Sequence, residues 1–101
     1  RQVFLSLFIW RDFVAREVDE SHQFILPFSS LVKLAKSIPH ATADLPRLLH
    51  PIPVHVRSRG REVIEIIQQA CEYSGSPDGL RGLVEKVIFK KSVVMIRKNE
   101  V

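Results

Sequence analysis

The stretch WRDFVAREVDESHQFILP, from Trp10 to Pro27, decides how the rest of the chain is read. Between Arg11 and Gln23 it holds four carboxylates, two arginines, a serine and a histidine. Such a density of groups suits either a catalytic or metal-binding cluster, or a charged helix face and its exit. Helical spacing favours the second. Asp12, Arg16 and Glu20 are four apart, so they stack on one face and each acid can pair with Arg16. An arginine among the carboxylates would compete with a metal for them. On the opposite side Phe13, Val14 and Val18 stay apolar.

Upstream, the same helix begins at residue 2. Val3, Leu7, Trp10 and Val14 form its principal stripe. Phe4, Leu5, Phe8 and Ile9 fill much of the remaining circumference, so this half needs cover on more than one side. The helix is expected to run over residues 2–20. Downstream, Gln23 to Leu26 reads as an extended linker, because Pro27 biases Leu26 away from helix. A second helix is expected from Pro27 or Phe28 to Ser37, with Leu31, Leu34, Ala35 and Ile38 inside and Lys33 and Lys36 outside; Pro39 stops it. A third should span Thr42 to Leu49, with Thr42 as N-cap. The fourth, Pro53 to Tyr73, buries Val56, Val63, Ile67 and Ala70, with Cys71 beside them. Gly60 within it implies close packing or a bend. Ser74 to Gly79 is a loop, and a fifth helix from Pro77 to Lys90 carries Leu80, Leu83, Val84, Val87 and Ile88. Val93 to Ile96 extends that helix or forms a tail. The expected fold is all-α, a compact bundle of four to five short helices. Residues 1–73 form the core of the domain and 74–101 a loop, last helix and tail.

Composition narrows the function. The 101 residues fit one small domain, and 46% hydrophobic content suffices for a core. A net charge of +4 tilts the surface towards acidic partners such as nucleic acid. Cys71 is the only cysteine, which excludes an internal disulfide or a cysteine-based zinc site and suits a reducing, intracellular setting. No apolar run is long enough for a membrane span. The first ten residues lack a signal-peptide cleavage site, and the absence of an initiator Met makes the chain look like a piece of a longer protein. His22, His40, His50 and His55 have no metal-binding spacing. Gly75, Gly79 and Gly82 match no phosphate loop. Cys71, expected inside, is read as packing. Nucleic-acid contact survives, through Lys33, Lys36, Arg57 and Arg61 on helices, with Arg47 and the tail residues Lys90, Lys91, Arg97 and Lys98 as further candidates.

Four segments carry a family resemblance. Trp10-Arg11-Asp12, Ala15-Arg16, Asp19-Glu20-Ser21 and Phe24-Ile25-Leu26-Pro27 together resemble the first part of an HRDC domain, the helicase-and-RNase-D C-terminal module. More narrowly they resemble the version that follows the exonuclease domain in the RNase D-type nuclease of the nuclear exosome. Leu31, Leu34-Ala35 and Ile38-Pro39 are similar to its second helix. Leu48-Leu49-His50-Pro51-Ile52-Pro53 with Val56-Arg57 is similar to its Asn-Pro-Val-Pro entry to the next helix, which Ile64, Ile67 and Ala70 continue. Phe24 stands where the family usually has Tyr, and His50 where it has Asn. The resemblance covers residues 5–73 and does not reach 74–101. It implies a non-catalytic, cofactor-free and metal-free accessory domain in the nucleus. Its implied partners are an upstream metal-dependent 3′–5′ exoribonuclease domain, RNA held weakly through its phosphates, and other exosome or cofactor proteins. Two alternatives stand beside it: a protein-docking module without RNA binding, and an HRDC module of a RecQ-type helicase.

Overall fold

A computed structural model describes residues 2–89. The expectations for Val93 to Ile96, for the helix end at Lys90 and for the tail cations Lys90, Lys91, Arg97 and Lys98 lie outside them. The described part is all-α, as its periodicity requires. Its helices are α1 (Gln2–Val18), α2 (His22–Ile25), α3 (Phe28–Ser37), α4 (Leu45–Leu48), α5 (Val54–Ser58), α6 (Gly60–Glu72) and α7, residues 80–89. Short 3₁₀ turns at Thr42–Asp44 and Pro77–Gly79 lead into α4 and α7.

The long helix α1 is the post around which the others assemble; α2, α3 and α6 all pack on it. Val3, Leu7, Trp10 and Val14 point inwards and are buried. From α6 they meet Val63, Ile66, Ile67 and Ala70, and from α3 Leu31 and Leu34. Each such side chain removed from water stabilises the fold by about 1.5–3 kcal/mol before entropy is charged against it. Val84, Val87 and Ile88 of α7 join the same core, so the helix after the 74–79 loop is packed on the bundle.

α1 stops two residues earlier than expected. Asp19 takes a left-handed backbone, φ 59°, and Glu20 N–H reaches back to the Ala15 carbonyl at 3.0 Å. That is a Schellman-type stop, with Asp in the place glycine commonly holds. Glu20 therefore leaves the helix face, and Asp12 alone pairs with Arg16, at 3.2 Å, among the described residues. Residues 23–25 are not an extended linker. Ser21 accepts from Phe24 N–H at 3.1 Å and caps the one-turn α2. The Pro27 effect acts only on Leu26, which is extended at φ −157°.

Two further expectations change. Thr42 is the first residue of its 3₁₀ turn and not its cap; the Asp44 carboxylate instead accepts from the N–H groups of His40 and Ala41, both at 3.3 Å. The long fourth helix is two helices, broken at Arg59, φ −113° and ψ 29°. Gly60, just after the break, is buried against Leu45 and Thr42. Arg59 turns inwards there to meet Glu62, whose side chain is 2% exposed. Arg59 Nε lies 2.9 Å from Glu62 Oε2, and Trp10 Nε1 donates to that same oxygen at 2.6 Å. The break thus lets an arginine neutralise a carboxylate that α6 has carried into the core.

Arg59 and Arg57 are two residues apart but do different work. Arg59→Gln leaves Glu62 buried without its cation and is expected to cost about 3 kcal/mol in urea unfolding, the low end for a broken buried pair. Arg57→Gln, on an exposed side chain, is expected to stay within about 0.5 kcal/mol. The α6–α7 loop provides a second comparison. Tyr73 Oη donates to the Ser76 carbonyl at 2.7 Å, and a Cβ on Gly79 would overlap that hydroxyl, whereas a Cβ on Gly82 meets nothing within 4 Å. Gly79→Ala is expected to destabilise by about 1–3 kcal/mol, and Gly82→Ala, inside α7, to stabilise by up to about 1 kcal/mol.

Candidate nucleic-acid interface

The charged cluster of residues 11–23 is taken apart by the fold. Arg11 is buried; its Nη1 donates to the Leu26 carbonyl at 3.0 Å, and its guanidinium lies 5.1 Å from the Phe8 ring centre. Asp12 bridges Arg16 and His22, the latter at 3.0 Å. Glu17 reaches Arg59 at 3.3 Å. Ser21 caps α2. Three consecutive residues therefore tie α1 in three directions: Trp10 to α6, Arg11 to the end of α2, and Asp12 to its start. These groups hold helices together and do not converge on a space where a substrate could sit. Among the described residues no three His, Cys, Asp or Glu side chains stand close enough to hold a metal ion. Nor is any described helix long and apolar enough to cross a membrane.

Cys71 is exposed, against the expectation that it packs inside. It sits one residue beyond Ala70, the last buried position of α6, and the helix turns it outwards. It lines a small hollow with His40 and Glu72 and is not part of the core.

The four cations singled out from the sequence are all exposed. Lys33 and Lys36 lie on α3 and line one hollow of about 450 Å³, with Ser29 and Ser30 from the first turn of α3 and His50 and Pro51 from the connection after α4. Arg61, on α6, lines a different hollow that also holds Glu65 and Glu72. Arg57 is on α5, and the break at Arg59 separates it from Arg61. The structure thus brings Lys33 and Lys36 together and adds His50, which helical periodicity could not place because it lies in a loop.

Aromatic side chains are more exposed than the sequence implied. Phe8 and Phe28 are each about half exposed, and Phe4 lies between them, stacked on Phe8 at 6.4 Å and edge-on to Phe28 at 6.0 Å. Phe24 is half exposed too and meets the His55 ring edge-on at 5.9 Å. The position where the family usually has Tyr is therefore at the surface.

Comparison with known proteins agrees with this architecture. Residues 1–67 match the family model of the HRDC domain. The human and rat proteins named exosome complex component 10 are 38% identical over 69 residues, which is 68% of this chain and 8% of theirs. The Caenorhabditis elegans exosome complex component 10 homolog is 36% identical over 74 residues, 73% of this chain and 8% of its own length. Protein RRP6-like 2 of Arabidopsis thaliana is 33% identical over 64 residues. The chain spans less than a tenth of the length of these relatives. No solved structure matches it. The chain belongs to the HRDC domain family.

Proposed function

We propose that this chain is a non-catalytic HRDC accessory domain of an exosome-associated 3′–5′ exoribonuclease, acting in the nucleus. It guides RNA towards a catalytic domain and packs on that domain, while the catalytic domain supplies the metal ligands. The observation that carries this reading is the likeness to exosome complex component 10 proteins over 69 residues, together with the HRDC match that runs from α1 into α6. Two surface features support the two halves of the role. Lys33, Lys36, Arg57 and Arg61 are exposed cations suited to the phosphates of RNA. Phe4, Phe8 and Phe28 offer an aromatic group suited to a neighbouring protein surface.

That aromatic group also supports a second reading, in which the domain docks on exosome or cofactor proteins and the positive charge is incidental. A RecQ-type helicase as the parent is disfavoured by relatives that are named as exosome components. Fluorescence anisotropy of this chain with a labelled single-stranded RNA, across a salt series, separates the first two. RNA guidance predicts affinity that falls steeply with salt. It also predicts that Arg57→Glu with Arg61→Glu weakens binding about tenfold or more while helical circular dichroism is unchanged. Affinity unchanged in that double variant removes Arg57 and Arg61 from the interface. No binding at low salt leaves docking as the function.

A further inference from the structure

Resting on the RNA-guiding reading, we propose that the hollow between α3 and the His50–Pro51 connection is the seat of a backbone phosphate of single-stranded RNA, and the strongest anion site among the four cations named above. Three independent properties of the hollow lead there. The first is sign. Lys33, Lys36 and His50 line it and no carboxylate does. The Arg61 hollow, of the same size, mixes one guanidinium with Glu65 and Glu72. Two carboxylates beside a single cation repel an incoming phosphate; two ammonium groups without one attract it.

The second property is the supply of donors. Ser29 and Ser30 occupy the first turn of α3, where backbone N–H groups have no intrahelical acceptor. Phe28 N–H is taken by Gln23 Oε1 at 2.9 Å, and Leu31 N–H by the Pro27 carbonyl at 2.9 Å. The N–H groups of Ser29 and Ser30 have no partner among the described residues, and no side chain caps the helix. Both residues, with their hydroxyls, line the same hollow as the lysines. Lys33 follows Ser29 by four positions and Lys36 by seven, so the three share one face of α3. Lys33, one turn beyond Ser29, is placed to share an anion with those amides, and Lys36, in the last turn of α3, adds positive charge farther along the same face.

The third property is shape. At about 450 Å³ the hollow is at the small end of ligand clefts. That is room for a phosphodiester with its flanking sugar. His50 brings an imidazole to the same hollow from the connection after α4. The site therefore reads backbone and not base sequence, as a guide for RNA of any sequence must.

The test uses this chain and fluorescein-labelled oligo-uridylate. Lys33→Gln with Lys36→Gln is compared with Arg57→Gln with Arg61→Gln, so that each variant loses two charges. The lysine pair is expected to lose about tenfold or more in affinity, and its log–log salt slope to fall by about 0.7, the value for one single-strand phosphate contact. The arginine pair is expected to lose clearly less. In ¹H–¹⁵N NMR spectra the Ser29 and Ser30 amides are expected to shift on titration with the oligonucleotide. Equal losses in the two variants, or Ser29 and Ser30 amides that stay still while RNA binds, would overturn the site and leave the RNA-guiding reading intact. No binding by the unaltered chain would overturn that reading itself. Amides that respond to inorganic phosphate and not to the oligonucleotide would identify a small-anion site in place of an RNA one.

Discussion

The fold depends on one buried polar contact, the bond from Trp10 Nε1 to Glu62 Oε2 at 2.6 Å. It joins the two helices that contribute half of the core, α1 and α6, and Trp10 is fully buried. A carboxylate in that position is costly unless it is both paired and hydrogen-bonded. Arg59 supplies the pairing, and the helix break that creates α5 and α6 is what lets it reach. Glu17 then tethers the outer side of Arg59 back to α1. Apolar packing alone would let α1 slide or rotate on α6, since neighbouring registers of a helix face bury similar areas. A directional bond to one indole nitrogen admits only one register.

The remaining surface follows from that register. With Trp10 pointing at α6, Arg11 is carried to the side where α2 ends, and Asp12 to the side where it begins. The α2–α3 corner is thereby fixed, and with it the first turn of α3. Phe8 and Phe4 are turned towards Phe28 at that same corner. Lys33 and Lys36 line a hollow with the connection that follows α4. One helix, α3, thus carries Phe28 of the aromatic group and the lysines of the cationic hollow on different residues. Docking and RNA contact can proceed together on such a domain without competing for the same residues.

Much of this was legible from spacing. The 3.6-residue periodicity located α1, α3 and α6 and their buried stripes, because large apolar side chains at fixed angular intervals leave little choice of which face turns inwards. The exposure of Lys33, Lys36, Arg57 and Arg61 followed from the same geometry. The failures share a cause: each depends on local backbone geometry or on a contact between residues distant in sequence, which spacing does not encode. Ser21 builds a helical turn where Pro27 had suggested extension. Asp19 ends α1 without a glycine. Glu62 reads as an ordinary surface acid, and only the Trp10 indole across the core explains its burial. The hollow was illegible for the same reason, since nothing in the spacing of residues 29–36 shows that His50 will stand across from them. The family resemblance added what periodicity lacked, by marking Trp10 to Pro27 as one unit.

The most direct test of the architecture is a double-mutant cycle in urea unfolding, with Trp10→Phe and Glu62→Gln made singly and together. Phe keeps most of the apolar bulk and removes the donor; Gln keeps the shape and removes the charge. If the indole–carboxylate bond sets the register, the two positions should be coupled by about 1.5–3 kcal/mol, the range for a hydrogen bond to a charged group. Effects that add to within about 0.3 kcal/mol would contradict the account and mean that apolar packing alone holds α1 on α6.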